Sequence, residues 1–358
     1  MSEIELNFGP LMPEKEDYAI ALCGAGGIVN DAHLPAYRKA GFKIAGIYDQ
    51  DGAKAAQTAA NFEIEKVYGS LQQLVEDRKV DIVDIAVPAT ENLRVIETVA
   101  AAGKSMLIQK PLAEDMGTAE DTVMTIDGYE VIAAVNQQMR WEPGVRACRD
   151  LLERGLLGEL FNIAFLVFVD TPWHLWGWLK EKSTIDVLYH SIHYLDAIRS
   201  LTGCEPETLF CDGSSLPGYD AKGETRLCLH LRFAGQLRAT VLTNHHAAHG
   251  IEGQQSEFRV EGLGGAAVRK MGLLMDYPTG VPDAFRFTCE SLQGRWQDCD
   301  FPATWFPDAF IGPMASLMRC LNGEIETPET DVHDNLKTLR LVFAAYESMR
   351  KNAVVQLG

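Results

Sequence analysis

The segment Tyr18–Val29, YAIALCGAGGIV, decides the fold of the first half of the chain. A strand-length aliphatic run leads directly into four residues rich in glycine, and helix formers begin near Ala32. Glycines at such a junction let the backbone turn sharply and approach a pyrophosphate, whose charge is met by N–H groups at the helix start. We therefore expect a dinucleotide loop in which Gly24, Gly26, Gly27 and Ile28 contact the ligand, although Val29 stands where the full fingerprint has Gly or Ala.

A carboxylate follows this loop at the sequence separation that is typical of a ribose-binding acidic residue. The next strand-like run, Lys43–Tyr48, is followed by Asp49, 25 residues after Gly24. An acidic residue about 20 residues beyond the loop bonds the adenosine ribose hydroxyls in this class of site and repels a 2′-phosphate. The pattern favours NAD over NADP, and the alternative for Asp49 is a solvated turn residue.

Strand-like and helix-like segments alternate through the first half of the chain. This alternation is typical of a parallel sheet with helices on both faces, a doubly wound Rossmann domain. The expected strands are Tyr18–Cys23, Lys43–Tyr48, Asp81–Val87, Ser105–Ile108 and Tyr129–Val135, and the expected helices are Ala32–Ala40, Asp51–Asn61, Ser70–Arg78 and Glu91–Ala102.

The pattern changes after a helix predicted at Pro143–Arg154. Long apolar runs then follow one another with turns between them, which predicts a mostly antiparallel open sheet. The fold class is thus α/β plus α+β. We expect a dinucleotide-binding domain at 1–141, including a polar lead-in at 1–17, and a substrate-binding and oligomerisation domain at 142–358. Packing of the last helix against the first domain is left open. The expected strands here are Phe161–Val169, Thr208–Asp212, Thr225–Phe233, Leu237–Thr243, Ser256–Glu261 and Phe285–Ser291, and the helices Ile185–Leu201, Ala309–Leu321 and Asp331–Arg350.

Composition narrows the choice of partners. Hydrophobic residues make up 47% and charged residues 23% of the 358 positions, an ordinary globular balance. The net charge of −18 disfavours nucleic acid and anionic membranes as partners. With an acidic lead-in, no apolar run of membrane length and eight scattered cysteines without a CxxC pair, we expect a cytoplasmic protein with reduced thiols.

A further strand ends at Val87-Pro88-Ala89-Thr90, because proline cannot extend a central ladder. Such a terminus lies at the carboxyl edge of a parallel sheet, where ligands of doubly wound folds bind. Pro88, Thr90 and Asn92 are therefore candidates for the nicotinamide half of the site, with helix capping as the alternative role of Asn92.

These segments, taken in order, resemble the Gfo/Idh/MocA family, which includes glucose-fructose oxidoreductase and inositol dehydrogenase. The resemblance covers nearly the whole chain. It rests on the Gly24–Gly27 loop, Val87–Thr90, Gln109-Lys110-Pro111, Gly155-Leu-Leu-Gly158-Glu159, Ile192-His193-Tyr194-Leu195-Asp196 and the closing run 323–355.

The resemblance implies that Lys110 lies at the mouth of the cofactor cleft. The family usually has Glu-Lys-Pro here, and this chain has Gln109 in place of Glu. An ammonium that is partly removed from water has its charged form disfavoured, which suits proton exchange with a hydroxyl. Loss of the neighbouring carboxylate is expected to weaken the anchoring of this lysine, and a solvated loop lysine is the alternative.

The resemblance also implies that His193 is the family's catalytic histidine, a base with an unperturbed pKa near neutrality. The family usually has Asp four residues earlier, where this chain has Tyr189. On an α-helix Asp186, Tyr189, His190 and His193 share one face. We expect Tyr189 to act with His193 on the reacting oxygen, and Asp186 or His190 to replace the missing carboxylate; for His190 simple packing is equally open.

Aromatic and polar residues complete the predicted substrate site. Trp173, His174 and Trp176 lie in a Trp-rich loop that suits an aromatic wall against a sugar ring, with core or dimer packing as the alternative. Gln138 and Arg140 are expected to line the same site. His190-x-x-His193 has metal-like spacing but lacks the Glu or Cys of standard zinc motifs, so we expect no metal. His245, His246 and His249 are assigned no role.

Together these features predict an oxidoreductase that transfers a hydride between NAD and a secondary hydroxyl of a sugar, a polyol or a sugar acid. One alternative retains the cofactor and uses transient oxidation to isomerise, epimerise or eliminate. Another is a non-catalytic NAD or sugar sensor, suggested by Gln109 and Tyr189. The large second sheet predicts a homodimer or homotetramer formed through its open face.

Overall fold

The computed structural model describes residues 3–216 and 221–358. The strands are β1 Ala19–Cys23, β2 Lys43–Tyr48, β3 Ile82–Ile85, β4 Ser105–Gln109, β5 Ala133–Asn136, β6 Leu160–Phe168, β7 Thr208–Ser214, β8 Arg226–Arg232, β9 Arg238–Asn244, β10 Gln255–Gly262, β11 Gly265–Lys270, β12 Ala284–Cys289, β13 Gln297–Cys299 and β14 Val355–Gln356. The α-helices are α1 Leu34–Ala40, α2 Gly52–Phe62, α3 Leu71–Glu76, α4 Asn92–Ala101, α5 Met116–Gly128, α6 Pro143–Glu153, α7 Gly177–Lys180, α8 Ile192–Thr202, α9 Ile311–Leu321 and α10 Val332–Lys351.

The chain forms two compact units. The N-terminal unit contains Gly9–Trp141 and Phe306–Lys337, and the C-terminal unit contains residues 3–8, Glu142–Trp305 and Thr338–Gly358. The division therefore falls inside α10, and a segment from near the end of the chain belongs to the N-terminal unit. The sequence-based boundary at 141 and 142 remains a prediction.

The N-terminal unit is built on a parallel sheet with the strand order β2-β1-β3-β4-β5. An isolated parallel bridge between Ile47 and Val67 extends the sheet beyond β2. With that bridge counted as an edge strand, the order is that of a six-stranded Rossmann sheet, whose switch point lies between β1 and β3.

The core of this unit explains the apolar runs of its strands. β1 and β3 are buried along their whole length, as expected for parallel strands covered on both faces. α9 packs against β4 and β5 and contributes Met314, Leu317 and Met318 to the same core. A helix distant in sequence thus completes the N-terminal unit.

The C-terminal unit is built on a nine-stranded sheet in the order β13-β12-β11-β10-β6-β9-β8-β7-β14. Its neighbouring strands are antiparallel except for β6 and β9, which run parallel. Burial alternates strictly along β8 and β9, so one face is buried and the other is open. α8 packs on β6 and on α6.

The predicted fold class is confirmed, and β2 begins and ends where the sequence indicated. Three short elements, β11, β13 and β14, were not expected, and neither was α5. The run Tyr129–Val135 is a strand only from Ala133, because α5 ends at Gly128 and Tyr129 closes its last turn. Alternating apolar residues alone did not separate that helix end from the strand.

Gly24 gives a direct test of the loop geometry. Its φ is +120°, and a Cβ there would lie 2.3 Å from the Ala86 carbonyl oxygen on the neighbouring strand end. Gly24→Ala should therefore lower the free energy of unfolding by about 3 kcal/mol or prevent folding. Urea denaturation without cofactor measures the change.

Gly26→Ala is the matched control, since a Cβ at Gly26 meets no heavy atom within 4 Å. We expect this variant to stay within about 1 kcal/mol of the parent. Equal losses in the two variants would contradict the close approach between Gly24 and Ala86.

Candidate functional site

The glycine loop is held by Asp49 at the end of β2. The Ala25 N–H donates to Asp49 Oδ2 at 2.7 Å, and the Asp51 N–H donates to Asp49 Oδ1 at 2.8 Å. Asp51, and not Asp49, caps α2. Gly26 and Gly27 are exposed and Ile28 is half-buried, and a π-helical turn, Val29–His33, connects them to α1. Asp49 therefore sits directly beside the loop, as its spacing in the sequence predicts.

The end of β3 leads through Pro88 into a short 3₁₀ turn, Ala89–Glu91, in which Thr90 is exposed. Asn92 is the first residue of α4 and is buried. Its amide donates to the carbonyl oxygens of Pro111 at 3.2 Å and Leu112 at 2.9 Å. Asn92 thus positions the segment that follows Lys110, a role the sequence did not indicate.

Lys110 follows the last residue of β4 and is half-buried. Burial lowers the pKa of Lys110 from 10.5 to about 7. The backbone N–H of Lys110 donates to Gln109 Oε1 at 2.9 Å. The chain therefore places an amine that changes protonation near neutral pH at the carboxyl edge of the parallel sheet.

A buried polar chain lies next to Gln109. Asp84 Oδ2 is 2.7 Å from His33 Nδ1 and accepts a hydrogen bond from the Tyr37 hydroxyl at 2.7 Å. His33 Nε2 is 3.3 Å from Asn136 Nδ2 and 3.5 Å from Gln109 Nε2. Both amide nitrogens can only donate, so these contacts require a lone pair on Nε2 and a proton on Nδ1, which the Asp84 carboxylate accepts. His33 is therefore neutral in this arrangement.

Gln138 and Arg140 lie in a buried 3₁₀ turn after β5, Gln138–Trp141. The Arg140 guanidinium donates to the Glu329 carbonyl oxygen at 2.5 Å and to the Asp334 carboxylate. Gln138 Oε1 is buried with no hydrogen-bond partner among the described residues. Of the two, Gln138 has acceptor capacity left, whereas Arg140 is bound by its own unit.

In the C-terminal unit the predicted helix at Ile185–Leu201 begins with a π-helical turn, Val187–Ser191, before α8. Asp186 precedes this turn and is fully buried. Its Oδ1 accepts from the Ser191 hydroxyl, five residues later, at 2.7 Å, and its Oδ2 accepts from the Thr243 hydroxyl of β9. The i to i+5 contact is that of a π-turn and not of the α-spacing assumed from the sequence.

Asp186 also lies beside a histidine from the end of β9. His245 Nε2 is 3.3 Å from Asp186 Oδ2, and the His245 ring centroid is 4.7 Å from that of His190. Burial acts to raise the pKa of Asp186, but His245, His190 and the Thr243 hydroxyl outweigh it, so the pKa is lowered. Asp186 is therefore an ionised group in a cluster of Asp186, His190 and His245.

The other predicted residues of this helix have different neighbours. The Tyr189 ring packs edge-on against Trp178 at 5.4 Å between ring centroids, and the buried His193 ring packs edge-on against Trp305 at 5.9 Å. Asp186 and His190 thus share the contacts of His245, while Tyr189 and His193 each contact an indole.

The aromatic loop forms a 3₁₀ turn, Trp173–Trp176, followed by α7. Trp173 is half-buried, and its ring centroid is 5.7 Å from that of His245 and 6.4 Å from that of His190. Trp176 packs against Tyr277 at 5.2 Å, whereas His174 is exposed. Trp173 is the indole that the structure brings to the histidine cluster.

Sequence reasoning missed His33, Asp84, Thr243 and His245. A charged residue inside the four-residue strand β3 was a usable signal, since a buried carboxylate requires donors nearby. No comparable signal existed for His245, because its partner Asp186 lies on a different element far away in sequence.

Comparison with known proteins identifies the class. Residues 18–137 match the GFO_IDH_MocA family, described as an oxidoreductase family with an NAD-binding Rossmann fold, and residues 145–268 match the C-terminal domain of the same family. The chain belongs to the Gfo/Idh/MocA family, and its N-terminal domain is an NAD-binding Rossmann domain.

Individual relatives agree with this assignment. The D-apiose dehydrogenase of Paraburkholderia graminis is 27% identical over 348 residues, covering 94% of this chain and 89% of the relative. The 1,5-anhydro-D-fructose reductase of Ensifer adhaerens is 26% identical over 266 residues, covering 73% of this chain and 78% of the relative. An oxidoreductase from Agrobacterium radiobacter, solved with NAD+, L-tartaric acid and magnesium, is 24% identical with a TM-score of 0.80, covering 95% of this chain and 98% of that one, and supports the fold.

The predicted family, fold class and NAD cofactor are confirmed, and the family is one of oxidoreductases. The two curated relatives named above are, by their names, a sugar dehydrogenase and a sugar reductase. None of the helices in residues 3–216 and 221–358 combines the length and hydropathy that a membrane crossing needs. The roles of single site residues remain predictions.

Gln109→Glu tests the neutral His33. The new carboxylate would face a lone pair on His33 Nε2 at the present 3.5 Å separation, so the folded variant must take up a proton on one of the two groups. A folded state that binds more protons than the unfolded state loses stability as pH rises. We expect a loss of about 2 kcal/mol at pH 8 and a clearly smaller loss at pH 6, measured by urea unfolding.

Gln109→Met is the control, because it has a similar length and no charge. Its loss of stability should be the same at both pH values. A pH-independent penalty for Gln109→Glu would mean that His33 is not the acceptor assigned above.

Proposed function

We propose that this protein is an NAD-dependent dehydrogenase that oxidises a secondary hydroxyl of a sugar, a polyol or a sugar acid, or catalyses the reverse reduction. The observation that carries the proposal is Lys110, a half-buried amine with a pKa of about 7 at the carboxyl edge of an NAD-binding sheet. A group that gains and loses a proton near neutrality is what the hydroxyl of such a substrate requires.

The residues of the N-terminal unit fit the cofactor. The loop at Gly26 is exposed and has open space beside its Cα, which suits the close approach of a pyrophosphate. Asp49 supplies the acidic group that suits a ribose without a 2′-phosphate. NAD+, when bound, accepts the hydride from the carbinol carbon. The residues proposed to bind it are Gly24, Gly26, Gly27, Ile28, Asp49, Pro88, Thr90, Asn92, Gln109 and Lys110, of which Asn92 acts through its hold on the Pro111 backbone.

Proton transfer is proposed for Lys110, His193 and Tyr189. In oxidation the neutral Lys110 amine takes the hydroxyl proton as the carbinol C–H bond breaks, and in reduction the ammonium returns it. His193 is proposed as the second proton-handling group, and its imidazole packs edge-on against Trp305. Tyr189 stands where the family has Asp and is proposed to donate to the reacting oxygen.

The substrate class rests on the relatives. Those reported above act, by their names, on D-apiose and on 1,5-anhydro-D-fructose, both of which are sugars. Trp173 fits an aromatic surface against a sugar ring. The residues proposed to line the substrate are Lys110, Gln138, Arg140, Trp173, His174, Trp176, Asp186, Tyr189, His190 and His193, with Arg140 and Asp186 acting through the neighbours they hold in place.

We further propose a homodimer or homotetramer that associates through the open face of the C-terminal sheet. Leu166 of β6 and Leu242 of β9 are register partners on this face, and both are half-buried in the single chain. Cross-strand leucines on an open sheet suit an apolar contact with a second copy. A cytoplasmic location stays a prediction from the sequence.

Lys110→Met should lower turnover by about 10²- to 10⁴-fold. NAD should still bind, as followed by fluorescence, because nine other residues are proposed to hold it. In the parent enzyme kcat/KM for oxidation should rise with pH through about 7, because only the neutral amine accepts a proton. Lys110→Arg should remove this rise, since an arginine stays protonated.

Lys43→Met, at an exposed lysine of β2, is the control and should keep full activity. A panel of D-apiose, other aldoses, inositols and aldonates with NAD and then NADP locates the substrate. If the parent binds a sugar without turning it over and Lys110→Met binds it equally well, the protein is a sensor. If product forms with at most one equivalent of NADH, the protein is a cofactor-retaining isomerase, epimerase or lyase.

Leu166→Asp and Leu242→Asp should each convert the oligomer to monomers in sedimentation velocity, because a carboxylate would be buried in an apolar contact. Met124→Asp introduces the same charge at an exposed site on α5 and should leave the oligomer intact. A parent protein that sediments as a monomer would refute the oligomer.

A further inference from the structure

The cluster of Asp186, His190 and His245 has the composition of a metal site. Each residue offers one ligand atom, and these atoms all lie within 4.8 Å of one another. Two of the three residues, Asp186 and His245, are buried, and His190 is half-buried. Two imidazoles and one carboxylate are a set that divalent transition metals bind, with a further position left open for water.

His245 carries the argument further. The residue is 4% exposed, and its Nε2 lies 3.3 Å from Asp186 Oδ2 without making an aligned hydrogen bond to it or to any other described residue. Its other nitrogen, Nδ1, pairs with the Thr171 hydroxyl at 2.7 Å. The tautomer in which Nδ1–H donates to Thr171 leaves a lone pair on Nε2, which is the form of imidazole that binds a metal.

The surroundings are those of a supported ligand set. Asp186 Oδ1 accepts from Ser191 and Oδ2 from Thr243, and each oxygen keeps a second lone pair for a cation. Contacts of this kind orient metal ligands in known sites, as does the Nδ1 contact of His245 with Thr171. The Trp173 ring lies beside both histidines, with its centroid 5.7 Å from that of His245 and 6.4 Å from that of His190.

We propose that Asp186, His190 and His245 bind one divalent transition-metal cation, with Zn²⁺ as the first choice. Nitrogen ligands select zinc and its neighbours over Mg²⁺ and Ca²⁺, which prefer oxygen. The cation would tie the start of the helical segment to the end of β9 within the C-terminal unit. The site is separate from the residues proposed to bind NAD, but it shares Asp186 and His190 with the residues proposed to line the substrate. Metal binding is therefore tested without turnover.

The test is direct metal binding. The chain carrying Cys204→Ser and Cys228→Ser, which removes two exposed thiols, is stripped with a chelator and titrated with ZnCl₂ by calorimetry. We expect one Zn²⁺ per chain with a Kd below about 1 μM and a higher Tm in its presence. MgCl₂ at the same concentration as ZnCl₂ should neither bind nor raise the Tm.

Substitutions assign the site. His190→Gln and His245→Gln should each weaken Zn²⁺ binding by at least about 100-fold and abolish the rise in Tm, while NAD binding stays unchanged. His249→Gln, at an exposed histidine of the same loop, is the control and should bind Zn²⁺ like the parent. Since His190 is only half-buried, its variant keeps the test valid if the His245 variant does not fold.

Cobalt gives a second readout. Co²⁺ in the parent should show d–d absorption bands of a low-coordinate nitrogen and oxygen site, and these bands should be lost in His190→Gln. No stoichiometric binding by the parent, or equal binding by the parent and both histidine variants, would overturn the proposal. The latter result would mean adventitious binding elsewhere on the acidic surface.

Discussion

The buried carboxylate of Asp84 is the constraint on which the N-terminal unit depends. A polar group buried in the middle of a central strand must be hydrogen-bonded, and Asp84 Oδ2 obtains its donors from His33 and Tyr37, on the helical segment that follows the glycine loop. Burial, with Asp84 next in importance, raises the pKa of the Tyr37 hydroxyl well above its usual value, so this donor keeps its proton. The charge on β3 thereby fixes the helix against the sheet and leaves His33 Nε2 facing the ends of β4 and β5.

That arrangement accounts for Gln109, the residue at which this chain departs from the usual Glu of its family. An imidazole whose Nδ1–H is committed to Asp84 presents a lone pair, and the amides of Gln109 and Asn136 can donate to it whereas a carboxylate cannot. Two amide side chains hold the backbone around Lys110. Gln109 Oε1 accepts from its backbone N–H, and Asn92 holds the two following carbonyl oxygens.

Much of the fold follows from local pattern. The glycine loop, the β2 strand ending before Asp49 and the alternating strands of the second sheet are each encoded by short-range preferences, and all are found in the structure. What the sequence could not give depends on contacts between distant segments. α9 carries an apolar face that suits either unit, and only packing against β4 and β5 assigns it to the N-terminal unit. β11 pairs with β10 through the tight Leu263-Gly264 turn. A strand this short gives little signal of its own in the sequence.

The helical segment after Asp186 shows why even a good periodic pattern misplaced a cluster. A π-turn shifts each later side chain relative to α-spacing, so Asp186 contacts Ser191, five residues later. Tyr189 and His193, which α-spacing would place on the same face as Asp186, pack against Trp178 and Trp305 instead. Each unit thus places a buried aspartate beside a histidine, but the two pairs differ in one respect. Both nitrogens of His33 face partners within its unit, whereas His245 Nε2 points at an anion without an aligned bond. At Asp84 the atom without a hydrogen-bond partner among the described residues is a carboxyl oxygen, Oδ1, and no second imidazole lies beside it, so a cation is inferred at His245 and not along the Asp84 chain.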